Sequence, residues 1–218
     1  MIRAIFFDFD GTISDARAIT HETFIEMLEE RGLKFDREKV HSLMGWKMEI
    51  ILERLSISTR LLRPLRREFY RRLLKKLKEE RLNLCVSVEP LKKLKKKYKL
   101  IVISNSETRF VKASARKLKI MGLFHKILGA EKFKSKDEIL ERLFRKYKIN
   151  AKEAVYIGDR FSDVEYARAA GCWAVAISNS CSWSSRKDLL KEKPDFIIEN
   201  FSQLRKVIQK IDSTAKKN

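Results

Sequence analysis

The chain is poor in cysteine and has no long apolar run. Its three cysteines, Cys85, Cys172 and Cys181, are scattered and lack the spacing of a metal site. Such an odd set is typical of a reducing compartment rather than of a disulfide framework, so we expect a cytoplasmic protein. No apolar run approaches the length of a membrane span. The first apolar segment is short and runs directly into acidic residues, so we do not expect it to be a signal peptide.

Glutamine is nearly absent, because only Gln203 and Gln209 occur among 218 residues, whereas charged residues make up 36% of the chain. This combination is typical of hyperthermophile proteins. The formal net charge of +20 can indicate nucleic-acid contact, attraction of anionic substrates, or a thermophile surface. We favour the last two, because the basic residues alternate with acidic and apolar ones along predicted helices. Nucleic acid and membrane are therefore not expected partners, and we expect a monomer or a homodimer.

Apolar segments of strand length alternate with helical patterns in the second part of the chain. These segments cover residues 100–103, 127–128, 154–157, 173–177 and 196–198. The alternation predicts an α/β fold, a Rossmann-like parallel sheet with helices on both faces. The hydrophobic fraction of 44% is enough for a full core.

Residues 15–85 contain no convincing strand. Helical patterns fill this block, and the longest of them is a basic amphipathic helix predicted at 60–82. We therefore predict an all-helical cap, residues 15–85, inserted into a core made of residues 1–14 and 86–218. We also predict that Thr20 or Asp15 caps the first helix of the block.

The first strand ends in two carboxylates. An apolar run from residue 2 to 7 is followed by Asp8, Asp10, Gly11 and Thr12. Side chains two residues apart on a strand point the same way, so the two acids are expected to share one space and to need a cation or a proton between them. Ligands bind at this end of the strands in open α/β sheets. Taken alone, the stretch fits a solvated Asp–Gly turn equally well.

Two further buried strands end in polar residues, Ser104 and Asn105 after one and Asp159 after the other. Parallel strands bring these ends to one edge of the sheet. Lys136 begins a predicted helix, for which Ser135 and Glu138 form a capping box. Acids, a hydroxyl, an amide and an ammonium at one edge are the groups that phosphoryl transfer requires.

These motifs together resemble those of the haloacid dehalogenase-like hydrolase superfamily. The four family motifs occur in order as DFDGT, ISNS, a lysine before a helix, and GDRFSD. The helical insertion between the first two is similar to that of the helical-cap subgroup of phosphoglycolate phosphatases and β-phosphoglucomutases. The resemblance covers nearly the whole chain.

The resemblance implies a role for each acid. Asp8 would be the nucleophile that forms an aspartyl-phosphate, and Asp10 the general acid and base. Mg²⁺ would be bound by the Asp8 carboxylate, the Asp10 carbonyl and the Asp159 carboxylate, with support from Asp163. Because the dehalogenase branch lacks an acid at the position of Asp10, hydrolysis of small phosphorylated metabolites is the favoured reaction. A phosphosugar mutase remains an alternative, and a basic nucleic-acid-binding protein on this scaffold a less favoured one.

The resemblance also implies a phosphate site. Ser104, Asn105 and the backbone amides of Gly11 and Thr12 would hold phosphate oxygens. The motif lysine fits two registers, and we prefer Lys136 to Lys134, because Lys136 falls at the first helical position.

A cap loop that usually faces the active site in this family corresponds to residues 45–47. Trp46 would pack on the substrate and Lys47 would pair with an anionic group on it. Both residues serve equally well as ordinary parts of the cap. The polar loop at 180–185 is interpreted as a surface loop.

Overall fold

A six-stranded parallel sheet forms the centre of the computed structural model, which describes residues 1–214. The described residues contain eight strands, of which the second and third are not part of this sheet. They are β1 (Ala4–Phe7), β2 (Ser14–Asp15), β3 (Asn83–Leu84), β4 (Lys99–Ile103), β5 (Lys126–Leu128), β6 (Ala154–Gly158), β7 (Trp173–Ile177) and β8 (Phe196–Ile198). The order in the large sheet is β5-β4-β1-β6-β7-β8, with every neighbouring pair parallel. The predicted α/β fold class is confirmed.

Ten α-helices lie within residues 1–214, of which the first four form a helical layer above the sheet edge and the others pack on the sheet. They are α1 (Arg17–Glu30), α2 (Arg37–Leu43), α3 (Met48–Arg54), α4 (Leu62–Glu79), α5 (Glu89–Leu94), α6 (Thr108–Lys117), α7 (Lys136–Tyr147), α8 (Phe161–Ala169), α9 (Arg186–Lys191) and α10 (Leu204–Thr214). None of them is both long and apolar enough to cross a bilayer.

Strand β1 is central because both of its faces are apolar. All four of its residues are buried, as expected for a parallel strand covered on both sides. Phe6 packs edge-on against Phe144 of α7, with ring centroids 5.7 Å apart, and Phe7 packs in the same way against Phe201 at 5.7 Å on the opposite face. The two apolar layers fix β1 between β4 and β6, and thereby the position of the residues that follow it.

Helices α1 to α4 surround a second apolar cluster. Along α4 the residues Leu65, Phe69, Leu73 and Leu77 are buried, and their spacing of four puts them on one helix face. Phe69 meets Phe24 of α1 with ring centroids 5.5 Å apart. The basic residues of α4 occupy the remaining faces, as the sequence pattern predicts.

Strands β2 and β3 form a short antiparallel pair in the two connections between the sheet and this helical layer. The expectation of no strand within 15–85 is wrong, because β3 and part of β2 lie there. Strands of two residues are too short to show an alternation of apolar and polar residues in the sequence. The exact boundaries at 14/15 and 85/86 stay a prediction. Residues 215–218 of the predicted core lie outside the described residues.

Two helix starts differ from the expected capping. Helix α1 follows Ala16 without a side-chain cap, and the Thr20 hydroxyl instead donates to the Ala16 carbonyl at 2.7 Å. Helix α7 begins at Lys136, but the Ser135 side chain makes no cap hydrogen bond. The capping box is therefore wrong, since the Glu138 carboxylate accepts from the Lys134 amide at 3.3 Å. Helix α9 was not expected, because it lies next to the polar loop at 180–185.

Candidate active site

The strand order brings three polar strand ends side by side. Strand β1 lies between β4 and β6, so Asp8 is flanked by Ser104 on one side and Asp159 on the other. All three residues are buried. The carboxyl edge of a parallel sheet thus presents two acids and a hydroxyl within one small region, as the sequence predicts.

The ammonium of Lys136 lies between two carboxylates. Its Nζ atom is 3.0 Å from Asp8 Oδ1 and 2.7 Å from Asp163 Oδ1, and its side chain is only 2% exposed. The Tyr156 hydroxyl donates to the same Asp163 oxygen at 3.2 Å. Burial alone would lower the pKa of Lys136, but the two carboxylates outweigh it and hold this pKa above its usual value. Lys136 is therefore a fixed positive charge at the edge of β1.

Lys134, which fits the motif in another register, is exposed and does not reach this region. The side chain of Lys136 enters the site because it occupies the first turn of α7, whose other buried residues pack on the sheet. The structure thus brings Lys136, and not Lys134, to the acids.

Asp8, Asp159 and Asp163 form a cluster that fits a divalent cation. One carboxylate oxygen from each lies within 4.8 Å of those of the other two, and all three residues are buried. Burial raises the pKa of Asp8 well above its usual value, and the neighbouring acids raise it further against the effect of Lys136. Burial and the charge of Asp163 raise the pKa of Asp159 to about 7. An all-oxygen set of crowded carboxylates is the donor set of a hard cation such as Mg²⁺.

The Asp10 carboxylate lies outside that cluster. Its Oδ2 accepts from the hydroxyls of Ser106, at 2.8 Å, and Ser104, at 3.3 Å, whereas its Oδ1 is buried without a partner. Burial raises the pKa of Asp10 to about 6, although both serine hydroxyls oppose the shift. The group therefore takes up and releases a proton near neutral pH.

The expectation that Asp8 and Asp10 share one space is met only in part. Both line the same cavity, but the Asp8 carboxylate lies against Lys136, and that of Asp10 lies against the serines. The strand rule fails here because regular β structure ends at Phe7, and Asp10 makes an isolated bridge with Ser14.

Position 11 requires glycine because a side chain would not fit there, and the Gly11 amide is not available to donate a hydrogen bond to phosphate. Its amide donates to the Ser14 carbonyl at 2.9 Å, so it is not free as the resemblance implied. Its φ is +91°, and a Cβ would lie 2.5 Å from Asp159 Oδ2 and 2.7 Å from Trp183 Cδ1. The Thr12 hydroxyl donates to Asp159 Oδ1 at 2.8 Å. The turn thus orients an acid of the cluster.

Replacing Gly11 by alanine is expected to reduce both stability and hydrolysis. The positive φ and the contact with the Asp159 carboxylate together are expected to lower the free energy of unfolding by about 1–3 kcal/mol. Urea unfolding and aryl phosphate hydrolysis measure the two effects. Gly32→Ala is the matched control, since Gly32 also has a positive φ, +61°, but its Cβ would meet no atom within 4 Å. Equal activity of the two variants would contradict the role of Gly11 at the site.

A cavity of about 50 Å³ lies between the sheet edge and the helical cap. The core contributes Asp8, Asp10 and residues 104–106, and the cap contributes an apolar wall that includes Trp46. Asn105 is both a lining residue and a link to the cap, because its Nδ2 donates to the Gly45 carbonyl at 3.0 Å. A cavity of this size holds a few water molecules, so the cap lies close over the strand ends.

Lys47 is not brought to this cavity. Its Nζ donates to the carbonyls of Ala130, at 3.1 Å, and Phe133, and lies 4.6 Å from the centre of the Phe133 ring. Lys47 thus fastens the cap loop to the connection after β5, and its contact with substrate stays a prediction. Trp46 does line the cavity and meets Phe161 with ring centroids 5.9 Å apart.

Sequence reasoning missed most of the apolar cap residues that line the cavity, and also the polar lining residues Ser106, Arg160 and Trp183. Arg160 had a readable signal, because a basic residue directly follows the strand-end acid Asp159. Trp183 had none, since it lies in the polar loop interpreted as a surface loop. The loop turns back over the site because the Trp183 amide donates to Asp159 Oδ2 at 2.7 Å.

Residues 5–177 match the family model described as haloacid dehalogenase-like hydrolase. The chain belongs to this family. The predicted membership and the prediction of an enzyme are confirmed, and the buried acids at the edge of β1 lie within the matched region.

Curated relatives of this haloacid dehalogenase-like hydrolase match almost its whole length. A protein of Caldanaerobacter subterraneus subsp. tengcongensis named "Putative pyrophosphatase PpaX" is 28% identical over 97% of this chain and 96% of its own. A phosphoglycolate phosphatase of Photorhabdus laumondii is 26% identical over 95% of this chain and 92% of its own.

Solved structures show the same fold for this haloacid dehalogenase-like hydrolase. A haloacid dehalogenase-like family hydrolase from Streptococcus pneumoniae superposes with a TM-score of 0.80 at 24% identity, covering 95% of this chain and 98% of that one. A predicted phosphoglycolate phosphatase from Haemophilus somnus gives 0.81 at 20% identity, with the same coverage.

Proposed function

We propose that this protein is a Mg²⁺-dependent phosphatase of small phosphorylated metabolites that works through an aspartyl-phosphate on Asp8. The observation that carries the proposal is the buried cluster of Asp8, Asp159 and Asp163 beside Lys136. The curated relatives named phosphatases support the reaction class. Pyrophosphate and phosphoglycolate, named for the relatives, are the first substrates to test.

The first half-reaction transfers the phosphoryl group to Asp8. An Asp8 carboxylate oxygen attacks phosphorus while the bond from phosphorus to the leaving oxygen breaks. Asp10, whose Oδ1 has no partner and lines the cavity, gives its proton to the leaving oxygen. Lys136 holds the Asp8 carboxylate in place by its 3.0 Å contact and supplies positive charge.

The second half-reaction returns both acids to their starting state. Asp10 takes a proton from a water molecule, whose oxygen attacks phosphorus and releases inorganic phosphate from Asp8. A pKa of about 6 suits Asp10 to both transfers near neutral pH. Bound Mg²⁺ would supply charge neutralisation for the carboxylates and the phosphate, and Asp8, Asp159 and Asp163 would hold it. Ser104 and the polar turn around Thr12 would border the phosphate.

Glutamates of the same chain partly neutralise the positive charge of helix α4. Arg72 pairs with Glu30 at 2.6 Å, and Lys76 pairs with Glu26 at 2.9 Å. Arg66 lies 3.3 Å from Glu49 and 3.5 Å from Glu107. These pairs favour a solvated cap face over a polyanion-binding groove, so they support the small-molecule reading.

Removal of divalent cations is expected to abolish turnover. The wild-type protein should hydrolyse p-nitrophenyl phosphate in Mg²⁺ and fall to the uncatalysed rate in EDTA, because the crowded carboxylates would then lack their cation. Restoring Mg²⁺ should restore the rate. Full turnover in EDTA would contradict the metal assignment, and no turnover in either condition would contradict the phosphatase proposal. Isomerisation of a phosphosugar without phosphate release would favour the mutase alternative.

A further inference from the structure

Arg160 is a buried cation that none of the steps above uses. It directly follows Asp159 and is 5% exposed. Its guanidinium donates to the Met44 carbonyl through Nη1 and lies 5.5 Å from the centre of the Trp46 ring. Its guanidinium forms no ion pair within 4.0 Å among residues 1–214, although its backbone amide donates to Asp163 Oδ2 at 3.1 Å. Its Nε is buried without a partner.

A buried guanidinium in this state is not fully satisfied. It carries five N–H donors, and the Met44 carbonyl accepts from Nη1 only. Burying a charge without a paired anion is unfavourable, even though the nearby acids attract it. An arginine that only bound the cap could donate all of its N–H groups to backbone carbonyls. Arg160 instead retains an Nε donor without a partner, and it lines a cavity.

The cavity shows where an anion would bind. Arg160 is the one cation among the residues that line it within the part of the chain described. Trp183 also lines the cavity, and its indole Nε1 is a second buried donor without a partner. On the core side the same cavity is lined by Asp8 and by Asp10, whose Oδ1 has no partner.

These positions have an order along a bound substrate. A phosphoryl group at Asp8 would direct its leaving oxygen toward Asp10 and the rest of the leaving group toward the cap, because all of these line one cavity. Arg160 contacts that cap, at Met44 and Trp46. Guanidinium groups bind carboxylate and phosphate oxygens in a two-point geometry.

We propose that Arg160, assisted by the Trp183 indole N–H, is the specificity-determining residue that selects phosphate compounds whose leaving group carries a second anionic group. The proposal rests on the proposed phosphatase function and deepens it. The second anion is expected close to the phosphate, as in a phosphorylated 2-hydroxy acid or in a diphosphate, because Arg160 lines the same cavity as Asp8 and Asp10. The shared chemistry is a carboxylate or phosphate that binds a guanidinium.

The test compares kcat/KM for three substrates in three variants and the wild type. The substrates are 2-phosphoglycolate, inorganic pyrophosphate and p-nitrophenyl phosphate, of which the last has no second anion. The variants are Arg160→Gln, Trp183→Phe and Arg168→Gln. Arg168 is the matched control, because it lies on α8, the helix that Arg160 directly precedes, but is exposed and donates to the carbonyl of Glu192.

Arg160→Gln is expected to lower kcat/KM by about 10–100-fold for whichever anionic substrate the wild type uses, mainly through KM, since a hydrogen bond to a charged group is lost. The loss of kcat/KM for p-nitrophenyl phosphate should be at least about tenfold smaller, because this substrate has no second anion for the guanidinium to bind. Trp183→Phe should show a smaller loss of the same selectivity, and Arg168→Gln none. The preferred anionic substrate identifies the second anion as carboxylate or phosphate.

Each other outcome has a defined meaning. An equal loss on all three substrates in Arg160→Gln would overturn the proposal and leave Arg160 as a cap contact, with the phosphatase function intact. No turnover of any substrate by wild type would overturn the phosphatase function and this proposal with it, whereas turnover of p-nitrophenyl phosphate alone would overturn only this proposal. A second readout is independent of turnover, namely quenching of tryptophan fluorescence by glycolate or by inorganic phosphate. Wild type should respond because Trp46 and Trp183 line the cavity, and an unchanged response in Arg160→Gln would also overturn the proposal.

Discussion

Asp8→Asn is expected to abolish hydrolysis of p-nitrophenyl phosphate, with a loss on the order of 10⁴-fold or more in kcat, because an amide cannot form the acyl-phosphate link. The change is nearly isosteric, and Lys136 keeps its 2.7 Å contact with Asp163. The protein should therefore remain folded, and the effect should be on kcat rather than on the amount of native enzyme. Stopped assays at saturating substrate, with urea unfolding of the same preparations, measure both.

The control for this variant is Asp15→Asn. Asp15 belongs to the same segment, but its side chain is 38% exposed and lies 3.6 Å from Arg17, and a surface pair of this kind contributes little. Its kcat should stay within about twofold of wild type. If Asp8→Asn retained a rate within tenfold of wild type in Mg²⁺, Asp8 would not be the nucleophile.

The sheet and the acids at its edge could be predicted because a parallel strand that is buried on both faces appears in the sequence as an uninterrupted apolar run. Strands β1, β4 and β6 are apolar on both faces, and each is followed at once by a polar residue, Asp8, Ser104 or Asp159. The order of the strands then needs no side-chain information to bring these residues together. Lys136 could be chosen over Lys134 because the start of the helix, and with it the residue at the first helical position, could also be predicted from the sequence.

The direction of side chains beyond a strand end could not be predicted in the same way. Asp10 follows Asp8 by two residues, yet its carboxylate binds Ser104 and Ser106 because the chain has already left the strand. The period of two applies only while the backbone is extended. The amide of Gly11 is likewise used by the turn itself, through the Ser14 carbonyl.

The contacts between cap and core depend on residues far apart in the chain, so no local pattern records them. Asn105 binds the Gly45 carbonyl, and Lys47 binds carbonyls at 130 and 133. The sequence offered Lys47 as the cation over the site, and the structure places Arg160 there instead. Both are basic residues beside apolar ones in the sequence. Only the tertiary fold shows that Lys47 binds the cap loop to the core and that Arg160 lines the cavity.

Lys136→Met is expected to destabilise the metal-free protein by about 3 kcal/mol, since removing one partner of a buried ion pair leaves the other uncompensated. The ammonium lies 3.0 Å from Asp8 and 2.7 Å from Asp163, and Asp159 belongs to the same crowded cluster. Methionine is unbranched and only one atom shorter than lysine, so most of the loss would reflect charge rather than a cavity. Urea unfolding in EDTA measures the free energy of unfolding.

The same variant gives an independent test of the cation site. Without the ammonium, the cluster of Asp8, Asp159 and Asp163 attracts a divalent cation more strongly, so added Mg²⁺ should raise the unfolding midpoint of Lys136→Met more than that of wild type. Lys134→Met is the control, because Lys134 is exposed and its loss should change stability by no more than about 0.5 kcal/mol. If both lysine variants unfolded at the wild-type midpoint in EDTA, the buried ion pairs would not stabilise the native state. If Mg²⁺ shifted all three proteins equally, the ammonium and the metal would not act on the same carboxylates.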